Sequence, residues 1–281
     1  MPATLTPLRY PGGKTKNYRF VKTILDANNL HGTYIEPFAG GAGLAIKLLL
    51  YGDVKKIVIN DSDRAIYSFW RCVLEHTEDL CAFIETVPLT REEWEKQRYI
   101  YMNKEKFDEL ELGKATFYLN RTNISGVIKG GLIGGNSQNG NYKMDARFNR
   151  KNLIRKIRDI SLYKDSIDLY SYDVFDLFEL GILNKYHNSI INFDPPYVKK
   201  GSQLYMNYFT YEDHEKLRNI IAKIHRKWIV TYDNCELIED LYKKYRKSYV
   251  DIRYSINESK KTQELVFFSK NLILPDSITL Y

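Results

Sequence analysis

The chain has 281 residues and a formal net charge of +7, long enough for one large domain or a core with an insertion. Its apolar runs, such as LAIKLLLY at 44–51, are broken by lysine and fall short of the ~18 residues that a membrane span needs. Positive charge favours a polyanionic partner without requiring one. No charged leader with an apolar stretch opens the chain. Cys72, Cys81 and Cys235 have neither metal-ligand spacing nor an even-numbered framework, which suits reduced thiols and a cytoplasmic location.

In chain order, TYIEPF (33–38) reads as a short buried strand, GLAIKLLLYG (43–52) as a helix and KIVIND (56–61) as a second strand. An amphipathic helix follows at 63–76, capped at Ser62 or Asp63. From 75 to 150 the rhythm breaks. A charged, aromatic stretch at 90–110 reads as one helix, followed by the glycine- and asparagine-rich loop SGVIKGGLIGGNSQNGNY at 125–142. A loop that long is usually functional or disordered. The alternation then resumes: strands at 167–173, 189–194 and 228–233, with helices over VFDLFELG, 211–227 and 236–247. SYVDIRYSI and QELVFFSK close the chain as an antiparallel pair. Strands alternating with helices predict an α/β, mostly parallel, doubly wound sheet. The expected division is a core of 1–74 and 151–281 with an inserted segment at 75–150.

Chemistry concentrates at strand ends. EPFAGGAGLAI (36–46) places three glycines between a strand and a helix, where backbone can approach a ligand and amide donors are free. The dinucleotide fingerprint fails, because Ile46 stands at its third glycine. PGGKTK (11–16) likewise fails as a phosphate loop, with Leu8 at its first glycine. Asp61 ends the next strand, where an acid can accept from ribose hydroxyls, although Asp61 or Asp63 can also serve as a helix cap. Glu36 and Phe38 are candidates for the cofactor's other contacts. These features imply a nucleoside-bearing cofactor.

The stretch IINFDPPYVKKG (190–201) carries the reaction. Asp194 lies at the carboxyl end of a strand, the edge where open parallel sheets bind ligands. Pro195 and Pro196 preset the backbone and leave carbonyls free to accept, and Tyr197 offers a face for a flat ring. A carboxylate and a main-chain carbonyl aimed at one point suit an exocyclic amine with two protons. They can draw its lone pair out of conjugation toward a methyl donor, so no nucleophilic residue is needed. His214 and His225 have no carboxylate or cysteine at a ligand spacing, so no metal is expected.

In these motifs the chain resembles the Dam-type, DPPY-motif DNA adenine methyltransferases. LRYPGGK (8–14) is similar to that family's amino-terminal motif, YIEPFAGGAG (34–43) to its glycine loop, IND (59–61) to its ribose acid and DPPY (194–197) to its catalytic motif. YLNRTNISGVIKGG (118–131) and NGNYKMDARFN (139–149) resemble its target-recognition hairpin. The resemblance implies a Rossmann-like methyltransferase core with a mixed seven-stranded sheet and an inserted, mainly helical DNA-recognition domain. It implies S-adenosyl-L-methionine bound by Tyr10, Lys14, Gly41, Gly43, Asp61, Asp173 and Asp194, with Tyr197 stacking on a flipped adenine. Arg121, Asn123, Ile124, Ser125, Lys129, Tyr142, Lys143 and Arg147 would contact double-stranded DNA. Ile124 and Ser125 stand where the family has an aromatic wedge and an amide, and Lys129 where well-known members have a base-reading arginine. An aliphatic wedge can still part base steps, but lysine lacks the planar fork for guanine, so the common GATC specificity is not implied.

Cytosine-N4 methylation stays open, since that amine presents the same donors. So does a non-catalytic DNA-binding protein of this fold. Protein-glutamine methylation and nicotinamide chemistry rank lower. Restriction protection beside a separately encoded restriction endonuclease and epigenetic marking are both open as roles.

Overall fold

The computed structural model describes residues 4–9, 13–198, 209–253 and 261–281. Seven strands, β1 (Thr33–Glu36), β2 (Lys56–Asn60), β3 (Ile167–Tyr170), β4 (Ser189–Phe193), β5 (Lys227–Asp233), β6 (Arg246–Arg253) and β7 (Lys261–Phe268), form one sheet ordered β3-β2-β1-β4-β5-β7-β6. β1 to β5 pair in parallel, while β7 runs antiparallel to both β5 and β6. This is the Rossmann-like, mixed seven-stranded architecture expected. β4 is buried at all five of its residues, because a central parallel strand is covered on both faces and reads as a continuous apolar run.

Alternation along the strands sorts the core into two layers. Tyr34, Ile57, Ile59 and Ile190 face one side and pack with α1 (Tyr18–Ala27), α2 (Gly43–Leu50) and α3 (Arg64–Glu75). Ile35, Val58, Ile191 and Val230 face the other and meet α8 (Val174–Glu179), α9 (Tyr211–Lys223) and α10 (Glu236–Tyr242). The chain leaves β1 toward β2 on one side, while β4 adjoins it on the other. The crevice above their carboxyl ends is the switch point at which such sheets bind ligands.

Between the halves lie α4 (Thr77–Thr86), α5 (Arg91–Met102), α6 (Glu109–Thr122) and then α7 (Arg150–Ser161). The single helix expected at 90–110 is two. Thr90 and Asp108 each cap a separate start by accepting from the amides of Glu93 and Glu111, and a short 3₁₀ turn at Lys104–Lys106 separates them. The helix expected at 236–247 stops at Tyr242, because Arg246 already pairs with Phe268 of β7. Sheet pairing there overrides helical propensity.

The intervening helices share the core of the sheet's first face. Phe117 of α6 stacks on Phe69 of α3 with centroids 6.0 Å apart. Gly113 allows that approach, since a Cβ there would lie 2.4 Å from Cys72 Sγ. Among the described residues no helix is long and apolar enough to cross a membrane.

Candidate active site

A cavity of about 370 Å³ opens above the carboxyl ends of β1, β2 and β4. Its floor is the loop from β1 to α2, which bends through left-handed backbone at Gly40 (φ 47°) and Ala42 (φ 44°). The Thr6 hydroxyl donates to the Gly41 carbonyl at 2.6 Å, tying the amino-terminal segment to this loop. Gly43 packs against the same segment, since a Cβ there would meet Thr15 Oγ1 at 2.4 Å. Asn60, buried at the end of β2, donates to the carbonyls of Pro37 and Tyr172 at 2.9 and 3.0 Å and accepts from the Tyr172 amide at 2.9 Å. One side chain thus holds three strand ends in register.

Asp61 faces the cavity and accepts from the amides of Gly40 at 2.8 Å and Asp63 at 2.9 Å, one on each oxygen. Burial lifts its pKa to about 6 against those two amides, and each oxygen keeps a lone pair for a ligand hydroxyl. Asp63 is the cap of α3, accepting from the Ala65 amide, and pairs with Lys104 at 3.2 Å. Asp173 lines the cavity while capping α8 through the Phe175 amide. Phe38 stands edge-on to Phe209, centroids 5.7 Å apart, and both line the cavity.

Acids and one cation crowd the end of β4. Buried Lys14 Nζ lies 3.0 Å from Asp194 Oδ1, 3.2 Å from Glu264 Oε2 and 2.5 Å from the Tyr197 hydroxyl. The Tyr197 hydroxyl also donates to Glu264. Burial alone would lower the Lys14 pKa, but Asp194 and Glu264 outweigh it and the pKa is raised. Burial lifts Asp194 to about 6, with Lys14 pulling down and Glu264 pushing up. Burial, then Asp194, push buried Glu36 up to about 8. Past the motif, the Asp233 carboxylate accepts from the Val198 amide at 3.1 Å. Asp194 and Pro196 line the cavity, but Tyr197 does not and is only 7% exposed. Its expected stacking face is therefore not offered to the cavity here, because the hydroxyl is held in the Lys14–Glu264 cluster.

The sequence model of the D12 class N6 adenine-specific DNA methyltransferases matches residues 10–258. The chain belongs to that family. It is 27% identical over 242 residues to the Type II methyltransferase M.MjaIII of Methanocaldococcus jannaschii, covering 78% of each chain. It is 24% identical over 264 residues to the Type II methyltransferase M.CviBI of Paramecium bursaria Chlorella virus NC1A, covering 88% of this chain and 90% of that one. Among solved structures, the rRNA methyltransferase aviRa of Streptomyces viridochromogenes is similar at a TM-score of 0.39 and 12% identity, over 92% and 85% of the two chains.

In this D12 class methyltransferase the segment after α6 lies beside the cavity. Ser125, in left-handed backbone at φ 58°, lines it, while neighbouring Ile124 is 56% exposed. The segment closes on itself through bonds from the Ile124 amide to the Gly131 carbonyl and from the Ile133 amide to the Thr122 carbonyl, both 2.9 Å. Lys129, Tyr142, Lys143 and Arg147 are exposed. Asn123 is not available to DNA as expected. It is fully buried, accepting from Trp94 Nε1 at 2.7 Å and donating to the carbonyls of Val127 and Ile128 at 3.2 and 2.8 Å. Arg121 is half-buried and spends its Nε and Nη2 on the Arg147 carbonyl. Tyr10 lies outside the described residues.

Three site residues were not read from the sequence: Glu264, Asn60 and Arg9. Each left a signal. Glu264 stands directly before the apolar run LVFF, Asn60 is the polar residue that ends the strand KIVIN, and Arg9 is the one charge between Leu8 and the glycines.

Proposed function

We propose that this N6 adenine-specific DNA methyltransferase takes its methyl group from S-adenosyl-L-methionine, held above Gly41 and Gly43. The cavity's size of about 370 Å³ is in the range of small-ligand sites, and its lining mixes aromatic rings with acids. In this reading Asp61 accepts from the ribose hydroxyls and Asp173 from the adenine amino group, beside Phe38. Glu36 faces the cationic end, together with Lys14 and, on resemblance alone, Tyr10. When bound, S-adenosylmethionine supplies an electrophilic methyl group on a positively charged sulfur.

The observation that carries the reading is Asp194 at the mouth of β4, on the same cavity as Asp61 and the glycine loop. Asp194 and the Pro195 carbonyl accept the two protons of the target amine, and Pro196 fixes the turn between strand and loop. Lys14, 3.0 Å from Asp194, keeps that carboxyl ionised enough to accept. The amine loses one proton as its bond to carbon forms, and Asp194 is the acceptor in contact with it. Tyr197 stacks on the flipped base once its hydroxyl leaves Glu264. Ile124 is the wedge that parts the duplex, with Ser125, Lys129, Tyr142, Lys143 and Arg147 around it. Asn123 shapes the segment that carries them.

The Type II names of both relatives support a role beside a separately encoded restriction endonuclease. The test is methylation-sensitive long-read sequencing of DNA from a methylation-free host expressing the chain or its Asp194→Ala variant. Methyladenine at one short motif, absent in the variant, is expected. Methylcytosine, or a mark that survives Asp194→Ala, would overturn the assignment.

A further inference from the structure

A group of cations gathers where residues 4–9 meet the recognition segment. Arg121, at the end of α6, donates from Nε at 2.7 Å to the Arg147 carbonyl and from Nη1 at 3.4 Å to the Pro7 carbonyl. Arg9 donates from Nη1 to the Asn123 carbonyl at 3.1 Å. Lys156 of α7 reaches the Thr6 carbonyl at 3.4 Å. The Arg9 backbone is itself clamped by Asn120, which accepts from its amide and donates to its carbonyl, both at 2.8 Å. Among the described residues, every charged neighbour acting on Arg9, Arg121 and Lys156 is another cation: Arg147 on Arg9, Arg9 and Arg147 on Arg121, and Arg121 and Arg155 on Lys156. Burial first, and then these cations, lower the pKa values of Arg9, Arg121 and Lys156. Neutral donors could make the same carbonyl contacts. Gathering like charges where Arg9, Arg121 and Lys156 are partly withdrawn from water costs free energy unless an anion completes the site.

We propose that Arg9, Arg121, Arg147 and Lys156 form the seat of one DNA backbone phosphate. Guanidinium donors and an ammonium match phosphate oxygens through charge-assisted hydrogen bonds. The seat adjoins the loop on which Ile124 is exposed and Ser125 lines the cavity. A phosphate held here registers the duplex at the point where the base must leave it, positioning without specifying sequence. The seat is also linked to the floor of the cavity, since Thr6 bonds both Lys156 and, through its hydroxyl, Gly41. The assignment rests on the duplex-binding reading above.

The test compares wild type with Lys156→Gln, Arg147→Gln and their double variant. Affinity for a labelled mixed-sequence duplex is measured across salt concentrations, and S-adenosylmethionine affinity by calorimetry. Arg121 is left intact because its carbonyl contacts hold the fold together. A phosphate seat predicts that the double variant binds duplex about tenfold more weakly. Its slope of log affinity against log salt is shallower by about one, and cofactor affinity is unchanged. Unaltered duplex affinity and slope would overturn the proposal. So would a loss confined to cofactor affinity, which would assign the cluster to the cofactor's carboxylate. A wild type that methylates adenine yet shows no change in its double variant sinks the seat alone. One that binds no duplex sinks both readings.

Discussion

Asp194 is held between burial, which favours its neutral form, and Lys14, which favours its charge, and the balance leaves its pKa at about 6. Only the carboxylate accepts from the target amine, so the rate at saturating substrate should fall as pH drops through about 6. Lys14→Met removes the cation at 3.0 Å and should move that acid limb upward by about one pH unit or more, which a pH–rate profile of both proteins reads directly. An unmoved limb would separate Lys14 from the carboxyl's charge. Glu36, at about 8, is mostly protonated at pH 7. A cationic ligand should ionise it, so calorimetry of S-adenosylmethionine binding in buffers of different ionisation enthalpy should detect proton release that Glu36→Gln abolishes. The same group bears on stability. Its folded pKa lies above the ordinary value of 4.5, so stability falls as pH rises from there to about 8 and is level beyond. At pH 9 Glu36→Gln should unfold later than wild type, by on the order of 4 kcal/mol. Asp194 and its prolines were legible because residue types in order along a strand end imply chemistry. Glu264 was not, because its partners Lys14 and Tyr197 lie far away in sequence.

At the level of elements, the glycine loop depends on the 3₁₀ turn Lys14–Asn17 packed against it. Gly43→Ala should push Thr15 away and loosen the hold of residues 4–9 on the loop. We expect a loss of about 2 kcal/mol in stability, of the size that overpacking causes, with weaker cofactor binding. Thr15→Ala in the same chain should recover most of it, because the clash is with Oγ1 at 2.4 Å while Cβ lies 3.8 Å away. Thermal melts of the single and double variants check this, and failure of the second change to rescue would place the strain elsewhere. Strands and α2, α3 and α8 were readable from periodicity, to within a few residues. α1, α4 and α7 were not read, although α1 and α7 are strongly amphipathic. The segment after α6 was read as a hairpin of contacts, whereas Asn123 spends its amide nitrogen on that hairpin's own carbonyls and its amide oxygen on Trp94 of α5.

For the whole molecule, the proposed division into a core and an inserted segment at 75–150 meets a shared interior. Phe69, Trp70 and Cys72 of α3 belong to the same buried cluster as Leu112, Phe117 and Leu119 of α6. Removing 77–149 and bridging the ends would strip that face of α3, exposing several large side chains at about 1.5–3 kcal/mol each. Such a chain should show no cooperative thermal transition by circular dichroism. A well-folded truncated core would instead make the helical segment an independent unit.

The sequence by itself determined the α/β class, the parallel half of the sheet and the order of the cofactor and catalytic motifs. Each of these is written in residues close together, as a strand period, a glycine turn or an acid at a strand end. Only the tertiary structure decided which acid caps and which faces the cavity, why Tyr197 is held by Glu264, and which polar side chains are spent inside the protein. It alone brought Arg9, Arg121, Arg147 and Lys156 together, with no acid acting on Arg9, Arg121 or Lys156 among the described residues. Those outcomes depend on burial and on charges brought close by folding, and a residue's own neighbours in sequence carry no record of either.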